Sequence, residues 1–281
     1  MPSTSPTRTS STSTSFPPVG ASHDDVRRYS RARRNLLPRA ERVTAVTGGW
    51  AHEVALRSGA EIEVVLWCPG ERPYPELAAT AARASQRARR AFRVSERVLA
   101  RLQPGASAPA LLSLVRLPRW EAPSVLTAEA RLVLVADGIG YAGNLGTLVR
   151  TADACAADAL VLTRATARLT HPKAFAASRG TVLTTPVLSF DTVAAARAAL
   201  IAAGFTAYVA DPAGATPYRR AGLGTGPTAV VVGSEGDGVS DEWRDGLARV
   251  AIPMHGRADS LNVAASAAVL LFEARAVLDE R

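Results

Sequence analysis

The chain has 281 residues, 47% of them hydrophobic, with two cysteines and a formal net charge of +8. That composition supports a packed core in one large or two ordinary domains. No apolar run reaches the ~18 residues of a membrane helix, so no membrane partner is expected. The start lacks the apolar stretch of a secretory signal, and no CxxC or Cys/His cluster announces a metal. Cys68 and Cys155 fall in apolar stretches and read as small buried residues. They fit a reducing compartment, and the expected location is cytoplasmic.

The charge is unevenly placed. Residues 1–120 carry 19 Arg against 9 acids, a net of +10, while residues 121–281 carry 13 Arg and Lys173 against 16 acids, a net of −2. The front half therefore reads as the partner-binding half. A nucleic acid's phosphate backbone is the expected partner, because contacting cations release its condensed counterions. Lys173 is the sole lysine, so part of the arginine richness belongs to the composition at large.

Residues 1–22 are rich in Ser, Thr and Pro, lack acids, and read as a disordered tail; an organelle transit peptide fits the same composition. A front domain is expected over 23–120. Asp24–Arg34 reads as a helix that sets Arg27, Arg28, Arg31 and Arg34 at helical spacing. Those four are candidate contacts to a phosphate chain, and a solvated helix face explains them equally well. Glu41–Val46, Ile62–Leu66 and Leu111–Val115 read as strands, Trp50–Arg57 and Pro75–Arg87 as helices. Residues 121–127, with Pro123, read as a linker.

Over 128–281 the pattern turns to alternating β and α. Leu132–Ala136, Ala159–Leu162, Thr206–Ala210 and Ala229–Val232 are short, dense apolar runs, as in strands buried on both faces of a parallel sheet. Helical stretches lie between them, notably Leu145–Cys155 and Thr192–Ala203. The expected class is α/β with a parallel sheet, whose ligands bind beyond the carboxyl ends of the strands.

Three segments sit at such ends. GNLGTLVRTADACAADALVLT, 143–163, leaves a strand through a glycine-punctuated loop and carries Asn144 and Arg150. It lacks both GxGxxG and the GKS/T of a Walker loop. VVVGSEGDGVSDEW, 230–243, runs a buried strand into a turn where Gly233, Gly236 and Gly238 bracket Glu235 and Asp237. Ser240 reads as the N-cap of the next helix, with Trp243 packed behind it. IPMHGRADSLNVAASAAVLLFEAR, 252–275, ends a short strand and opens a long helix, apolar nearly all round, with Ser260 as its expected cap. Each segment by itself also fits an ordinary structural corner.

In order and spacing together, these segments resemble the three-motif signature of the SpoU/TrmH RNA 2'-O-ribose methyltransferases of the SPOUT class. The resemblance covers about Leu132–Ala276. More weakly, ERVTAVTGGWAHEVALRSGAEIEVVLW is similar to the small α/β RNA-binding domain that precedes the catalytic domain in many members. The resemblance implies a C-terminal trefoil knot, a homodimer, and S-adenosyl-L-methionine as cofactor with S-adenosyl-L-homocysteine as product and no metal. It implies rRNA rather than tRNA as substrate. By the same resemblance Gly233, Ile252, Met254, Ser260 and Leu261 hold the cofactor. Arg150, Asn144, Glu235, Ser260 and Asn262 form the active site, with Arg150 central. Pro172, Lys173 and Ser178 match a further motif, and Lys173 contacts RNA. Ala156 and Ala176 depart from the family's usual Gly and Arg, and Gly48-Gly49-Trp50 from its usual Glu-Gly. Two rivals stand beside this reading: a catalytically silent RNA-binding or ribosome-assembly protein of the same fold, and a nucleotide-binding α/β enzyme. His23, His52, His171 and His255 form no metal pattern.

Overall fold

The computed structural model describes residues 16–71, 74–214, 216–234 and 236–280. Glu235 and residues 1–15 of the expected tail lie outside that set. The front unit runs α1 (Asp24–Arg33), β1 (Val43–Thr47), α2 (Gly49–Ser58), β2 (Ile62–Cys68), α3 (Pro75–Arg87), β3 (Arg90–Arg93), α4 (Glu96–Leu102) and β4 (Ala110–Arg116). Its sheet has the order β1-β4-β2-β3; β4 is antiparallel to both neighbours and β3 runs parallel to β2.

Several details depart from the sequence reading. Residues 16–22 are not all tail: Val19 N donates to Arg93 O at 2.9 Å, and Arg93 N donates to Pro17 O at 2.9 Å, so this stretch lies along β3. The first strand starts at Val43, because Arg39–Glu41 form a 3-10 turn. β3 and α4 were hidden by their shortness. β3 is a four-residue edge strand flanked by arginines, and α4 is a two-turn helix whose cap, Ser95, accepts from Val98 N at 3.4 Å.

The second unit runs α5 (Ala122–Val125), β5 (Leu132–Asp137), α6 (Ala142–Ala154), β6 (Ala159–Thr163), α7 (Pro172–Ala177), β7 (Val187–Phe190), α8 (Val193–Ala202), β8 (Thr206–Ala210), β9 (Thr216–Pro217), β10 (Thr228–Val232), α9 (Asp241–Arg244), β11 (Ala248–Ala251) and α10 (Val263–Asp279). The sheet order is β7-β6-β5-β10-β8-β11-β9, and every pair is parallel. Every residue of β5, β6 and β10 is buried, which is why these strands read as continuous apolar runs. From β5 the chain winds through β6 to β7, then crosses over to build β8, β10 and β11 on the other side. The direction of winding reverses between β5 and β10, and crevices in parallel sheets open at such points.

Residues 121–127 are not an open connection. Residues 122–125 form a helical turn, and Trp120, Ala122, Val125 and Leu126 pack against the cluster containing Trp243 and Val231. A single apolar cluster runs from Val46, Ala55 and Val65 in the front unit to Leu134, Leu145 and Phe175 behind, so the two sheets share a core. At its centre α6 meets α7 very closely. A Cβ on Gly146 would lie 2.3 Å from the carbonyl oxygen of Ala174, so this position takes only glycine.

Candidate active site

The strand–turn segment after β10 is built around Gly233. Ser234 and Gly238 exchange backbone hydrogen bonds of 3.2 and 3.0 Å, closing a tight hairpin over Gly233. A Cβ there would stand 2.0 Å from the carbonyl carbon of Gly238. The hairpin is tied to the sheet by a buried polar chain. Ser240 N donates to Asp137 Oδ2 at 2.8 Å, Thr163 Oγ1 donates to Asp137 Oδ1 at 2.9 Å, and Trp243 Nε1 donates to Thr163 Oγ1 at 3.1 Å. Asp137 and Trp243 are both fully buried. Neither stood out in the sequence as a site residue; the signal was an acid closing a wholly apolar strand, and such an acid needs partners. Ser240 occupies the N-cap position of α9, but its side chain makes no capping bond there.

Beside the hairpin, at the carboxyl ends of β8, β10 and β11, lies a cleft of about 430 Å³. Its wall brings together Gly233, Ile252, Met254, Ser260 and Leu261, the five positions assigned to the cofactor. Asp211 also lines it, as does Arg244, whose Nε lies 3.7 Å from the Asp211 carboxylate; Arg249 approaches the same carboxylate at 3.5 Å. This acid, one residue past β8, was not singled out in the sequence.

Motifs one and three meet at one edge of this cleft. Asn262 Nδ2 donates to Asn144 Oδ1 at 3.3 Å, across 118 residues of chain. Asn262 lies between Leu261 and Val263, both in the cleft wall. It is also the true cap of α10, accepting from Ala264 N at 3.0 Å. Ser260, expected in that role, instead donates to Asp259 Oδ1 at 3.1 Å. The cap moves because residues 260–262 lie outside the helix, in the loop that walls the cleft. Asn144 likewise sits within the first turn of α6, which starts three residues earlier than expected, at Ala142.

Arg150 is exposed on α6 and is not part of the cleft wall. Six helical positions separate it from Asn144, about 9 Å of rise and a third of a turn. The structure therefore joins Asn144 and Asn262 and leaves Arg150 apart. Lys173 is exposed with its Nζ 5.8 Å over the ring of Tyr141, itself 55% exposed at the entry to α6. Ser178 is fully buried and closes the end of α7, donating to Phe175 O at 2.9 Å and accepting from Gly180 N at 3.2 Å. On α1, Arg27, Arg31 and Arg34 are exposed, but Arg28 is not part of that face. Its guanidinium is held by Glu41 and Glu63; burial disfavours its charge, yet the two carboxylates hold it above its ordinary pKa. Arg28 is occupied by an internal ion pair.

The residues suit a small-molecule site with apolar and backbone walls and a few charged groups at its edge, with a volume inside the usual range of ~300–1,000 Å³. Gly233 leaves room where any side chain would block the turn, and Ile252, Met254 and Leu261 supply apolar walls. The sequence model of the SpoU rRNA Methylase family matches residues 131–272. This chain belongs to the SpoU rRNA methylase family. It is 34% identical over 154 residues to the 23S rRNA (guanosine(2553)-2'-O)-methyltransferase RlmP of Bacillus subtilis, covering 54% of this chain and 61% of that one. It is 28% identical to a 23S rRNA (uridine(2479)-2'-O)-methyltransferase of Streptomyces viridochromogenes, over 59% of this chain and 60% of that one. The chain thus spans about three fifths of the length of these curated relatives. Among solved structures, an RNA 2'-O ribose methyltransferase aligns with a TM-score of 0.74 at 28% identity, over 92% of this chain and 98% of that one. An AdoMet-bound rRNA methyltransferase from Sinorhizobium meliloti shares the fold, with a TM-score of 0.79 at 23% identity over 92% and 97% of the two chains.

Proposed function

We propose that this SpoU family member transfers a methyl group from S-adenosyl-L-methionine to a ribose 2'-hydroxyl of RNA, ribosomal rather than transfer RNA. The observation that carries the reading is the cleft at the ends of β8, β10 and β11, walled by Gly233, Ile252, Met254, Ser260 and Leu261 and edged by the Asn144–Asn262 pair. The ribosomal substrate rests on the 23S rRNA enzymes among the relatives. Bound in the cleft, the cofactor supplies an electrophilic methyl carbon on a sulfonium.

The chain's own residues must then bring a 2'-oxygen to ~3–3.5 Å from that carbon and help its proton leave. Asn144 and Asn262, already paired, position the ribose. Arg150 holds the adjoining phosphate and stabilises charge developing on the 2'-oxygen, a role suited to its planar fork of donors. A guanidinium keeps its proton in proteins and makes a poor base, so the substrate's proton leaves through phosphate or water. Glu235 orients Arg150 or holds the substrate, and Ser260 lines the cleft. Arg27, Arg31, Arg34 and Lys173 contact the RNA backbone, and residues 23–120 act as its binding domain, joined through 121–127 to the methyltransferase domain 128–281.

The reading includes a homodimer, the family's C-terminal knot and a cytoplasmic location. The dimer is supported by α10, where Ala265, Phe272 and Ala276 are exposed at helical spacing, with Ala268 and Val269 half-buried between them. Phe272 is 50% exposed. No helix among the described residues is long and apolar enough to cross a membrane.

Calorimetric titration with S-adenosylmethionine and S-adenosylhomocysteine tests the cofactor half, with Leu261→Arg filling the cleft as the control. Saturable binding that the variant loses is the expected result. Incubation with ribosomal RNA and mass spectrometry for a 2'-O-methyl mark tests the reaction. Cofactor binding without a mark on any RNA would reduce the protein to a silent RNA-binding relative.

A further inference from the structure

A second concavity, about 370 Å³, opens at the carboxyl ends of β6 and β7, where the front unit meets the methyltransferase unit. Arg39 and Arg42 line it from the front unit, and Arg164, Arg168, Phe190 and Asp191 from the other. The arginines are interlocked across the junction. Arg168 Nη1 donates to Asn35 O at 3.1 Å and its Nη2 to Leu37 O at 2.7 Å, while Arg39 Nη2 reaches back to Thr166 O at 3.2 Å. Arg42 Nη2 donates to Pro118 O.

These acceptors are neutral carbonyls. They fix the guanidinium planes without neutralising them. Of the four, Arg164 alone has a carboxylate partner among the described residues, Asp137 Oδ2 at 3.4 Å, and that acid is already shared with Thr163 and Ser240. The Nε atoms of Arg42 and Arg168 are buried with no hydrogen-bond partner among the described residues. Burial, and then the neighbouring cations Arg119 and Arg39 respectively, hold the pKa of Arg42 and Arg168 below the ordinary arginine value. Like charges gathered around a concave site and held by neutral acceptors are what an oxyanion with several acceptor oxygens satisfies.

We propose that this junction pocket is a phosphate-binding site that seats a backbone phosphate of the RNA between Arg39, Arg42, Arg164 and Arg168. The inference rests on the RNA-methyltransferase reading for the identity of the phosphate's owner. It adds a fixed anchor on the seam of the two units, away from the cofactor cleft. Because both units supply arginines, a strand held here is registered against the front unit and the active site at once. The backbone carbonyls that clamp the guanidinium groups keep the site formed before RNA arrives, so less side-chain freedom is lost on binding.

Inorganic phosphate at fixed ionic strength, against chloride, is the first probe. Phosphate should raise the melting temperature of the wild type, less in Arg39→Gln, and more in Asp191→Asn, which removes the pocket wall's one carboxylate among the described residues. Arg39 is exposed, so its substitution leaves the core intact. The second probe is a single-stranded RNA oligonucleotide. In Arg39→Gln the slope of log affinity against log salt should fall by about 0.7, the value of one single-strand phosphate contact. Phosphate acting equally on all three proteins, or on none, would overturn the site. Phosphate stabilisation with an unchanged RNA slope would overturn the RNA occupant in favour of free phosphate. S-adenosylmethionine titration of the same proteins keeps the two readings apart: no cofactor binding in the wild type, with the phosphate and slope effects intact, removes the methyltransferase reading and leaves the anion site standing.

Discussion

His52 is fully buried on α2 and makes two hydrogen bonds, Nδ1 to Gly48 O and Nε2 to Ser113 Oγ, each 2.7 Å. A carbonyl only accepts, so Nδ1 carries the proton and Nε2 accepts from the serine hydroxyl. Burial pushes the imidazole pKa down to about 4, against weaker opposing pulls from the Gly48 carbonyl and Glu53. The folded state therefore refuses a proton that the unfolded chain accepts at about 6.5. The contribution is intact above the unfolded value and is lost as pH falls from about 6.5 towards 4. For a folded value near 4, the loss is about 2 kcal/mol at pH 5 and about 3 kcal/mol at pH 4. The Thr80 hydroxyl and Arg83 hold the carboxyl of neighbouring Glu53 below the usual range. Urea denaturation at pH 7.5 and pH 5, in the wild type and in His52→Gln, isolates the histidine. The wild type should lose about 2 kcal/mol more than the variant between the two pH values. Equal losses would show that His52 takes up its proton in the folded state, and the buried neutral imidazole would be refuted.

Other expectations are direct. Gly233→Ala places a methyl group against the Gly238 carbonyl and should abolish S-adenosylmethionine binding by calorimetry, while far-ultraviolet circular dichroism stays native. Arg150→Ala and Arg150→Lys should both abolish RNA methylation and leave cofactor affinity within about threefold, since Lys lacks the planar fork; parallel loss of cofactor binding would make the residue structural. Ala156 adopts φ +51° just beyond α6, and Ala157 N bonds Ala152 O at 2.9 Å to close the helix end. A left-handed alanine costs ~1–2 kcal/mol, and glycine returns ~0.4–1 kcal/mol to the unfolded chain, so Ala156→Gly should stabilise by about 0.5 kcal/mol in chemical denaturation. Phe272→Glu should give a monomer by sedimentation and lower methylation, with the melting temperature of the monomer fold retained.

Much of the second unit was legible because its strands are buried on both faces: β5, β6 and β10 announce themselves as unbroken apolar runs, and their ends mark the turns that carry the motifs. The cleft followed from the motifs' resemblance, since no spacing in the chain says that Gly233 and Leu261 face one another. What stayed hidden was set by contacts between distant segments. β3 is short and arginine-flanked, and it is a strand because β2 and residues 17–19 pair with it. Arg28 reads like its neighbours on a helical wheel, but Glu63, two strands of sheet away in sequence, turns it inward. Ser260 has the chemistry of a cap, and only the path of the loop decides that Asn262 takes the position. The Asp137–Thr163–Trp243 chain joins three segments that carry no local signal of one another.

Arg150 is placed differently by the motif resemblance and by the helix that carries it. The motif resemblance puts it at the centre of the reaction, whereas α6 places it a third of a turn and about 9 Å from Asn144, outside the cleft wall. Bending α6 to bring it round is blocked by Gly146, whose close contact with Ala174 fixes the helix against α7. Unwinding the helix would expose Leu148 and Val149, both fully buried beside it. The helix is therefore a rigid support, and Arg150 reaches a ribose only if the RNA itself spans the distance or a second copy brings its own cleft alongside. The exposed apolar face of α10, a helix that packs directly on α6, favours the second route. In the proposed dimer the active site would be completed by assembly, and the lowered methylation in Phe272→Glu and its loss in Arg150→Ala would have one cause.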